Sequence, residues 1–247
     1  MQSETKAMRN NKNFINSNEI RHDKTNNGKS EGIFKLESPS ATAIVGPSQV
    51  GKSVLALNIV RSAKEMYTIP PEKIIYAYGV YQKKFDEVAS EIPHLTLHHG
   101  LPSRELVESL RSEEGNNLLI LDDLMQEICS SQEMCSLFTR DVHHSRISVI
   151  MISQNIFHQS RYSRTISLNT SYLILMKTCR DLMQIHCVSR QMFPSCPKRL
   201  VEAYEDSTQK PRGYLLVNNL TSSGDEDIRL CTGILPGDTL VLYTKKQ

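Results

Sequence analysis

The sequence lacks a continuous apolar run long enough to cross a bilayer, and its first residues lack the apolar segment of a secretory signal peptide. It also lacks a strong excess of either charge, because 29 basic residues face 27 acidic ones and the formal net charge is +2. These absences predict an intracellular protein with no membrane partner. Any contact with nucleic acid would depend on local patches rather than on a global field.

Closely spaced cysteine pairs are missing as well. The six cysteines are scattered and form no C-x-x-C pair, which is typical of reduced thiols in an intracellular protein. A zinc site built from His186, Cys187 and Cys196 is the weaker alternative, since this spacing matches no usual zinc pattern.

The chain divides by composition into a polar arm and one domain. Residues 1–32 are rich in Asn, Lys, Ser and Glu, which predicts a disordered, solvated arm; a basic arm that grips DNA is the alternative. Residues 33–247 are long enough for one α/β domain, and the apolar content of 39% allows a real core. We expect a small C-terminal β extension over about 211–247, in which two extended runs form an antiparallel hairpin around Ser223-Gly224-Asp225.

One motif dominates the chain. Residues 46–53 read G-x-x-x-x-G-K-S, the phosphate-binding P-loop. The apolar run Ala41–Val45 before it suits a buried strand, and Val54–Val60 after it suits a buried helix. Because the motif requires this strand-loop-helix context, the match predicts a nucleotide site.

Each residue type in the P-loop has a chemical role. Loop N–H groups and the positive end of the following helix hold phosphate oxygens. Lys52 would reach the β- and γ-phosphates of ATP, and the Ser53 hydroxyl would ligate Mg²⁺. The predicted nucleotide-binding residues are Gly46, Pro47, Ser48, Gln49, Val50, Gly51, Lys52, Ser53 and Val54.

A second motif follows about 70 residues later. Leu118–Leu121 are four aliphatic residues in a row, which predicts a strand buried on both faces, and Asp122 and Asp123 come directly after them. This is a Walker B pattern. We expect Asp122 to hold Mg²⁺, directly or through water, and Asp123 to act as the catalytic base that polarises the attacking water.

Polar residues after the next buried strand complete the predicted site. Ile147–Ile152 end in Ser153-Gln154-Asn155, and Gln154 is placed to sense the γ-phosphate or to orient water. Arg161 and Arg164 follow, and either Arg164 or Arg161 is a candidate for a cation that a neighbouring subunit places against the γ-phosphate.

The order of these motifs resembles the FtsK/HerA superfamily of P-loop ATPases, and within it the poxvirus-type genome-packaging ATPases that also occur in virophages and Maverick/Polinton elements. The resemblance spans about residues 41–243. The stretches that carry it are Gly46–Ser53, Leu118–Asp123, Ile147–Asn155, Arg164–Asn169, Tyr172–Met176, Arg180-Asp181 and Gly213–Leu216.

The resemblance implies a RecA-like α/β fold, a mainly parallel sheet flanked by helices. It implies ATP hydrolysis with Mg²⁺, coupled to the movement of double-stranded DNA into a capsid by a homo-oligomeric ring. A capsid or portal protein would then be a partner, in host cytoplasm or nucleus or on the virion. Two other functions stay open: a P-loop kinase of a small molecule, and a non-catalytic nucleotide-binding scaffold.

Overall fold

The computed structural model describes residues 34–92, 94–157, 161–220 and 229–244. The predicted arm of residues 1–32 and the predicted turn at 223–225 lie outside these ranges. Within them, no helix is both long and apolar enough to span a membrane. Nor do three His, Cys, Asp or Glu side chains of this part of the chain cluster as a metal site would require.

The described residues contribute nine strands to one sheet. The strands are β1 (Ala41–Val45), β2 (Pro71–Tyr78), β3 (Leu95–His99), β4 (Asn116–Asp122), β5 (Ile147–Ser153), β6 (Tyr172–Met176), β7 (Tyr214–Asn218), β8 (Leu230–Thr232) and β9 (Val241–Leu242). Their order across the sheet is β3-β2-β4-β5-β1-β6-β7-β8-β9. Strands β1 to β6 pair in parallel, whereas β7, β8 and β9 join the edge antiparallel.

Helices cover both faces of this sheet. They are α1 (Lys52–Arg61), α2 (Ala63–Met66), α3 (Lys84–Glu91), α4 (Arg104–Glu108), α5 (Met125–Ser130), α6 (Gln132–Ser136), α7 (Val142–His144), α8 (Ser163–Leu168), α9 (Leu182–Met192) and α10 (Pro197–Ser207), with a π-helical turn at Leu137–Asp141. Apolar side chains of α1, α2 and α3 pack on one face. Those of α4 to α10 pack on the other. The predicted fold class, a mainly parallel α/β sheet flanked by helices, is confirmed.

The aliphatic runs of the central strands explain why they lie in the middle of three layers. In β4, Leu118 and Ile120 enter the core beneath α1, whereas Leu119 and Leu121 enter the opposite core. All four side chains are 0% exposed. Because successive side chains of a strand point to opposite faces, only a run without polar interruption can fill both cores at once.

The connections that follow the adjacent strands β1 and β5 create a crevice at the carboxyl edge of the sheet. After β1 the chain enters α1 on one face, whereas after the adjacent β5 it enters α8, whose Ile166 belongs to the opposite core. Neighbouring parallel strands whose connections leave in opposite directions define a switch point, where open α/β sheets bind ligands. The phosphate loop lies at this point.

The C-terminal part adds the predicted hairpin to the edge of the sheet. Strand β7 pairs antiparallel with β6, and β8 pairs antiparallel with β7. This prediction is confirmed, and β9 extends the edge by one further short strand.

One helix ends earlier than the sequence pattern predicts. The apolar positions 106, 107 and 110 predict a helix that runs to about Gly115, but α4 ends at Glu108. The Asn117 amide donates to the Leu110 carbonyl at 2.7 Å. That side-chain bond takes a carbonyl of the helix's continuation, so the chain turns toward β4 instead of extending the helix.

Candidate nucleotide site

The strand registers bring the predicted motifs to one level of the sheet. Val45 at the end of β1 pairs with Ser153 of β5, and Ile152 pairs with Asp122 of β4. Strands in a sheet lie about 4.8 Å apart, so the phosphate loop and the acidic pair face each other across β5 at about 10 Å. Gln154 directly follows β5, and so lies between the phosphate loop and the acidic pair.

The phosphate loop has the backbone that an anion site needs. Gly51 and Gln49 adopt left-handed conformations, with φ of 103° and 67°. A Cβ atom on Gly46 would come within 2.7 Å of the Met176 Cβ atom, so only glycine fits at the start of the loop. No side chain of the described residues caps α1 at Gly51, which leaves the first N–H groups of the helix facing the loop.

Lys52 bends back over the loop that precedes it. Its Nζ atom donates to the carbonyl oxygens of Gly46 at 2.7 Å and of Pro47 at 2.8 Å. Burial lowers the pKa of its ammonium group, while the charges of Asp122 and Asp123 act in the opposite direction. The cation is therefore held at the loop and within electrostatic reach of the acidic pair.

Asp122 is a buried carboxylate, with 5% of its surface exposed. The Tyr76 hydroxyl donates to its Oδ2 atom at 2.8 Å. Burial raises the pKa of Asp122, and this effect outweighs the hydrogen bonds from Ser53 and Tyr76 and the charge of Lys84, all of which lower it. Asp122 and Ser53 thus line the same cavity, and Ser53 is close enough to affect the pKa of the Asp122 carboxyl group.

Asp123 differs from its neighbour, because its side chain is exposed at the sheet edge. Its backbone is left-handed, with φ of 58°. A Cβ atom on Gly79 would lie 2.5 Å from the Asp123 carbonyl oxygen, so the loop after β2 packs directly against this turn. β4 ends at Asp122, just before this left-handed residue, and the Asp122 carboxylate is buried whereas that of Asp123 is exposed.

These groups line one cavity of about 380 Å³. Its lining residues are Ser48, Gln49, Gly51, Lys52, Ser53, Val54, Gln82, Lys84, Asp122, Asp123, Ile152, Ser153, Gln154 and Arg212. Gly46, Pro47 and Val50 are not among them: Gly46 and Pro47 hold the Lys52 ammonium, and Val50 packs against the core below the loop.

The predicted arginines lie outside this cavity. Arg164 is exposed on α8, and Arg161 is exposed just before it. The structure of one chain does not bring either of them to its own phosphate loop. Their assignment to the γ-phosphate of a neighbouring subunit stays a prediction.

The sequence motifs did not predict four residues at the site: Tyr76, Gln82, Lys84 and Arg212. Tyr76 reads as an ordinary aromatic of a buried strand, and the two residues near the start of α3 read as polar surface. For Arg212 the only sequence signal is the Pro211-Arg212-Gly213 turn, and nothing in that signal indicates which part of the fold the turn approaches.

Strained backbone conformations also cluster at this cavity. Among the described residues, the non-glycine positions with positive φ are Gln49, Asp123, Arg146 and Arg212. All except Arg146 line the cavity. Such conformations cost about 1–3 kcal/mol each and cluster at functional sites.

The cavity fits a nucleotide with Mg²⁺. Its volume lies in the usual range for small-molecule sites. The Ser53 hydroxyl and the Asp122 carboxylate are hard oxygen ligands that line the same cavity. Mg²⁺ uses one or two such protein ligands and takes the rest from phosphate and water.

Comparison with solved structures supports the fold. The DNA-packaging ATPase B204 from Sulfolobus turreted icosahedral virus is 11% identical, with 86% of this chain and 100% of that chain covered and a TM-score of 0.51. The ATP-γS complex of the genome packaging NTPase B204 from Sulfolobus turreted icosahedral virus 2 is 12% identical, covers 85% and 98%, and has a TM-score of 0.49. A KaiC-like protein, PH0186 from Pyrococcus horikoshii OT3, is 11% identical over 83% and 90%, with a TM-score of 0.42.

At 11% identity, the similarity to the first of these structures concerns the fold alone. No family model matches the sequence. No curated protein matches it either.

Proposed function

We propose that this chain is a P-loop ATPase of the genome-packaging type, which hydrolyses ATP to move double-stranded DNA into a capsid. The observation that carries the proposal is the meeting of three motifs in one cavity. The phosphate loop, the acidic pair and Gln154 come from separate strands, and β5 separates the first from the second. A hydrolase needs this combination, because a water molecule must be positioned next to the terminal phosphate.

Each residue of the site has a separate role in hydrolysis. The loop N–H groups and Lys52 bind the phosphate chain, and Lys52 exchanges its two loop carbonyls for phosphate oxygens. Ser53 and Asp122 would hold Mg²⁺, which supplies charge compensation on the phosphate oxygens. Asp123 accepts a proton from the attacking water, and its exposed carboxylate is free to do so. Gln154 orients that water through its side-chain amide.

The proposal includes a homo-oligomeric ring in which a neighbouring copy lends Arg164 to the site. Two observations support a contact face on α8. The Arg164 side chain is exposed and lies outside the nucleotide cavity of its own chain. Leu168, one helical turn further along α8, is 75% exposed. Residues four apart lie on the same helix face, so a cation and a large apolar side chain stand together there. An exposed arginine next to an exposed leucine suits an interface between subunits.

The coupling to DNA and to a capsid or portal protein rests on the resemblance to packaging ATPases of the FtsK/HerA type and on the fold shared with B204. The decisive experiment measures phosphate release with and without double-stranded DNA, together with the mass of the assembly. We expect turnover to rise severalfold with duplex DNA and the mass to correspond to a closed oligomer.

Other outcomes identify the alternatives. Consumption of ATP only with a small-molecule acceptor, and no response to DNA, would indicate a P-loop kinase. Binding of labelled ATP without phosphate release, at high protein concentration and with DNA present, would indicate a scaffold. A monomer whose turnover ignores DNA would contradict the motor.

A further inference from the structure

Arg212 lies in a tight turn between α10 and β7. The Gly213 N–H donates to the Lys210 carbonyl at 3.0 Å, which closes a four-residue turn. Pro211 is the second residue of this turn and Arg212, with φ of 61°, is the third. Proline second and positive φ third form the pattern of a type II turn, whose third position normally carries glycine.

An arginine at this position is therefore unfavourable for the turn itself. A left-handed conformation costs a side-chain-bearing residue about 1–2 kcal/mol. The turn is nevertheless fixed, because a Cβ atom on Gly213 would lie 2.3 Å from the Ser207 carbonyl oxygen at the end of α10. The strain of Arg212 thus has no explanation in the local fold.

The Arg212 side chain runs along the phosphate loop. Its Cγ atom would lie 3.4 Å, and its Cδ atom 3.6 Å, from a Cβ atom built on Gly51. The framework behind it is firm: Tyr204 of α10 donates its hydroxyl to the Met176 carbonyl at 3.1 Å, and Met176 packs against Gly46. The guanidinium is therefore presented to the cavity from the side of β6 and β7, opposite the acidic pair.

The charges that line the cavity are distributed unequally, in a way that favours an anion beside Arg212. Lys52 and Lys84 both lie within the field of Asp122, which offsets their charge. For Arg212, no carboxylate among residues 34–92, 94–157, 161–220 and 229–244 lies within ion-pair distance. An uncompensated guanidinium beside a phosphate loop is suited to bidentate contact with phosphate oxygens.

We propose that Arg212 binds the phosphate chain of the nucleotide in the same chain, at the α- and β-phosphates. This inference rests on the nucleotide site of the proposed function. The terminal phosphate must face Asp123 and Gln154, so the opposite flank, where Arg212 lies, meets the inner phosphates. The chain thereby has an arginine contact of its own, distinct from the arginine that a neighbouring subunit lends.

The experiment uses the full chain and two probes, labelled ADP and pyrophosphate as its competitor. Arg212→Gly removes the guanidinium and also suits the turn, so we expect a thermal midpoint within a few degrees of the parent. ADP and pyrophosphate should both bind about tenfold to hundredfold more weakly, on the scale of a charge-assisted hydrogen bond. Arg212→Lys should restore part of this loss, and raising the salt concentration should weaken the parent more than Arg212→Gly.

Arg146→Gly is the matched control. Arg146 also has positive φ, at 53°, but it precedes β5 at the opposite edge of the sheet and donates to the Glu114 carbonyl. This variant should bind both probes like the parent. Equal binding by Arg212→Gly and the parent would overturn the contact while leaving the nucleotide site intact.

Two further outcomes separate the assignments. A loss for ADP without a loss for pyrophosphate would overturn the phosphate assignment and place Arg212 at the base or ribose. A parent chain that binds neither probe would overturn the nucleotide site and this contact together.

Discussion

The two walls of the cavity differ in charge and in origin. The wall at the ends of β4 and β5 carries both carboxylates and the amide of Gln154, whereas the wall at the turn before β7 carries Arg212 without a carboxylate partner in the described part of the chain. The first suits a metal ion and a water molecule, and the second suits phosphate oxygens. A triphosphate bound between them would therefore have a defined orientation, with its terminal phosphate toward the acidic wall.

The two walls also differ in what holds their side chains in position. Asp122 is buried and braced by Tyr76, so its position follows from the core. Arg212 is exposed and stands on a strained turn that α10 holds in place. Changes at Asp122 should therefore alter metal binding and stability together, whereas changes at Arg212 should alter nucleotide binding alone.

The largest effect should come from the loop between the walls. Lys52→Ala leaves the charge on the β- and γ-phosphates uncompensated and removes the ammonium that holds Gly46 and Pro47. We expect phosphate release to fall to background. Lys64→Ala, at an exposed position of α2, is the control and should retain parental turnover. Unchanged turnover in Lys52→Ala would rule out the phosphate loop as the catalytic site.

The next effect tests the exposed carboxylate of the acidic wall. Asp123→Asn removes the proposed proton acceptor but keeps the side-chain size, so we expect hydrolysis to slow about 100-fold while ATP affinity stays within about twofold. Single-turnover phosphate release and labelled-ATP titration measure the two quantities. Glu113→Gln serves as an exposed control away from the cavity. If turnover survives in Asp123→Asn, another group activates the water.

The smallest effect concerns stability and pH. Burial raises the pKa of Asp122 above its usual value. At pH values between the usual pKa of the unfolded chain and the raised pKa of the folded chain, the folded chain therefore binds more protons than the unfolded chain. The free energy of unfolding therefore falls as pH rises through this window, and the cost persists at neutral pH. Asp122→Asn removes that cost while keeping an oxygen to accept from Tyr76, so its midpoint should exceed that of the parent near neutral pH.

Thermal midpoints without nucleotide, measured across pH, check this expectation. Each kcal/mol gained would correspond to about 2–4 °C, and the difference between Asp122→Asn and the parent should shrink on acidification. The same variant should lose the dependence of ATP binding on Mg²⁺. A neutral-pH midpoint below that of the parent would show that the ionised carboxylate stabilises the fold.

Much of the sheet could be predicted because its signals are local. Ala41–Val45 was predicted as a strand with the bounds of β1, and the aliphatic run of β4 could fit only a strand buried on both faces. Errors arose where a side chain competes with the helix backbone. The early end of α4 is of this kind, because the Asn117 amide donates to the Leu110 carbonyl beyond it.

By itself the sequence predicted the phosphate loop, the acidic pair and Gln154 as residues of one site, because each is a short run of contiguous residues at the end of a predicted strand. Tertiary structure alone decided which strands are neighbours, and so placed β5 between the loop and the carboxylates. It also decided that Tyr76 braces Asp122 and that the turn at Arg212 meets Gly51, about 160 residues earlier in the chain. Such contacts depend on strand order and helix packing, which no local spacing encodes.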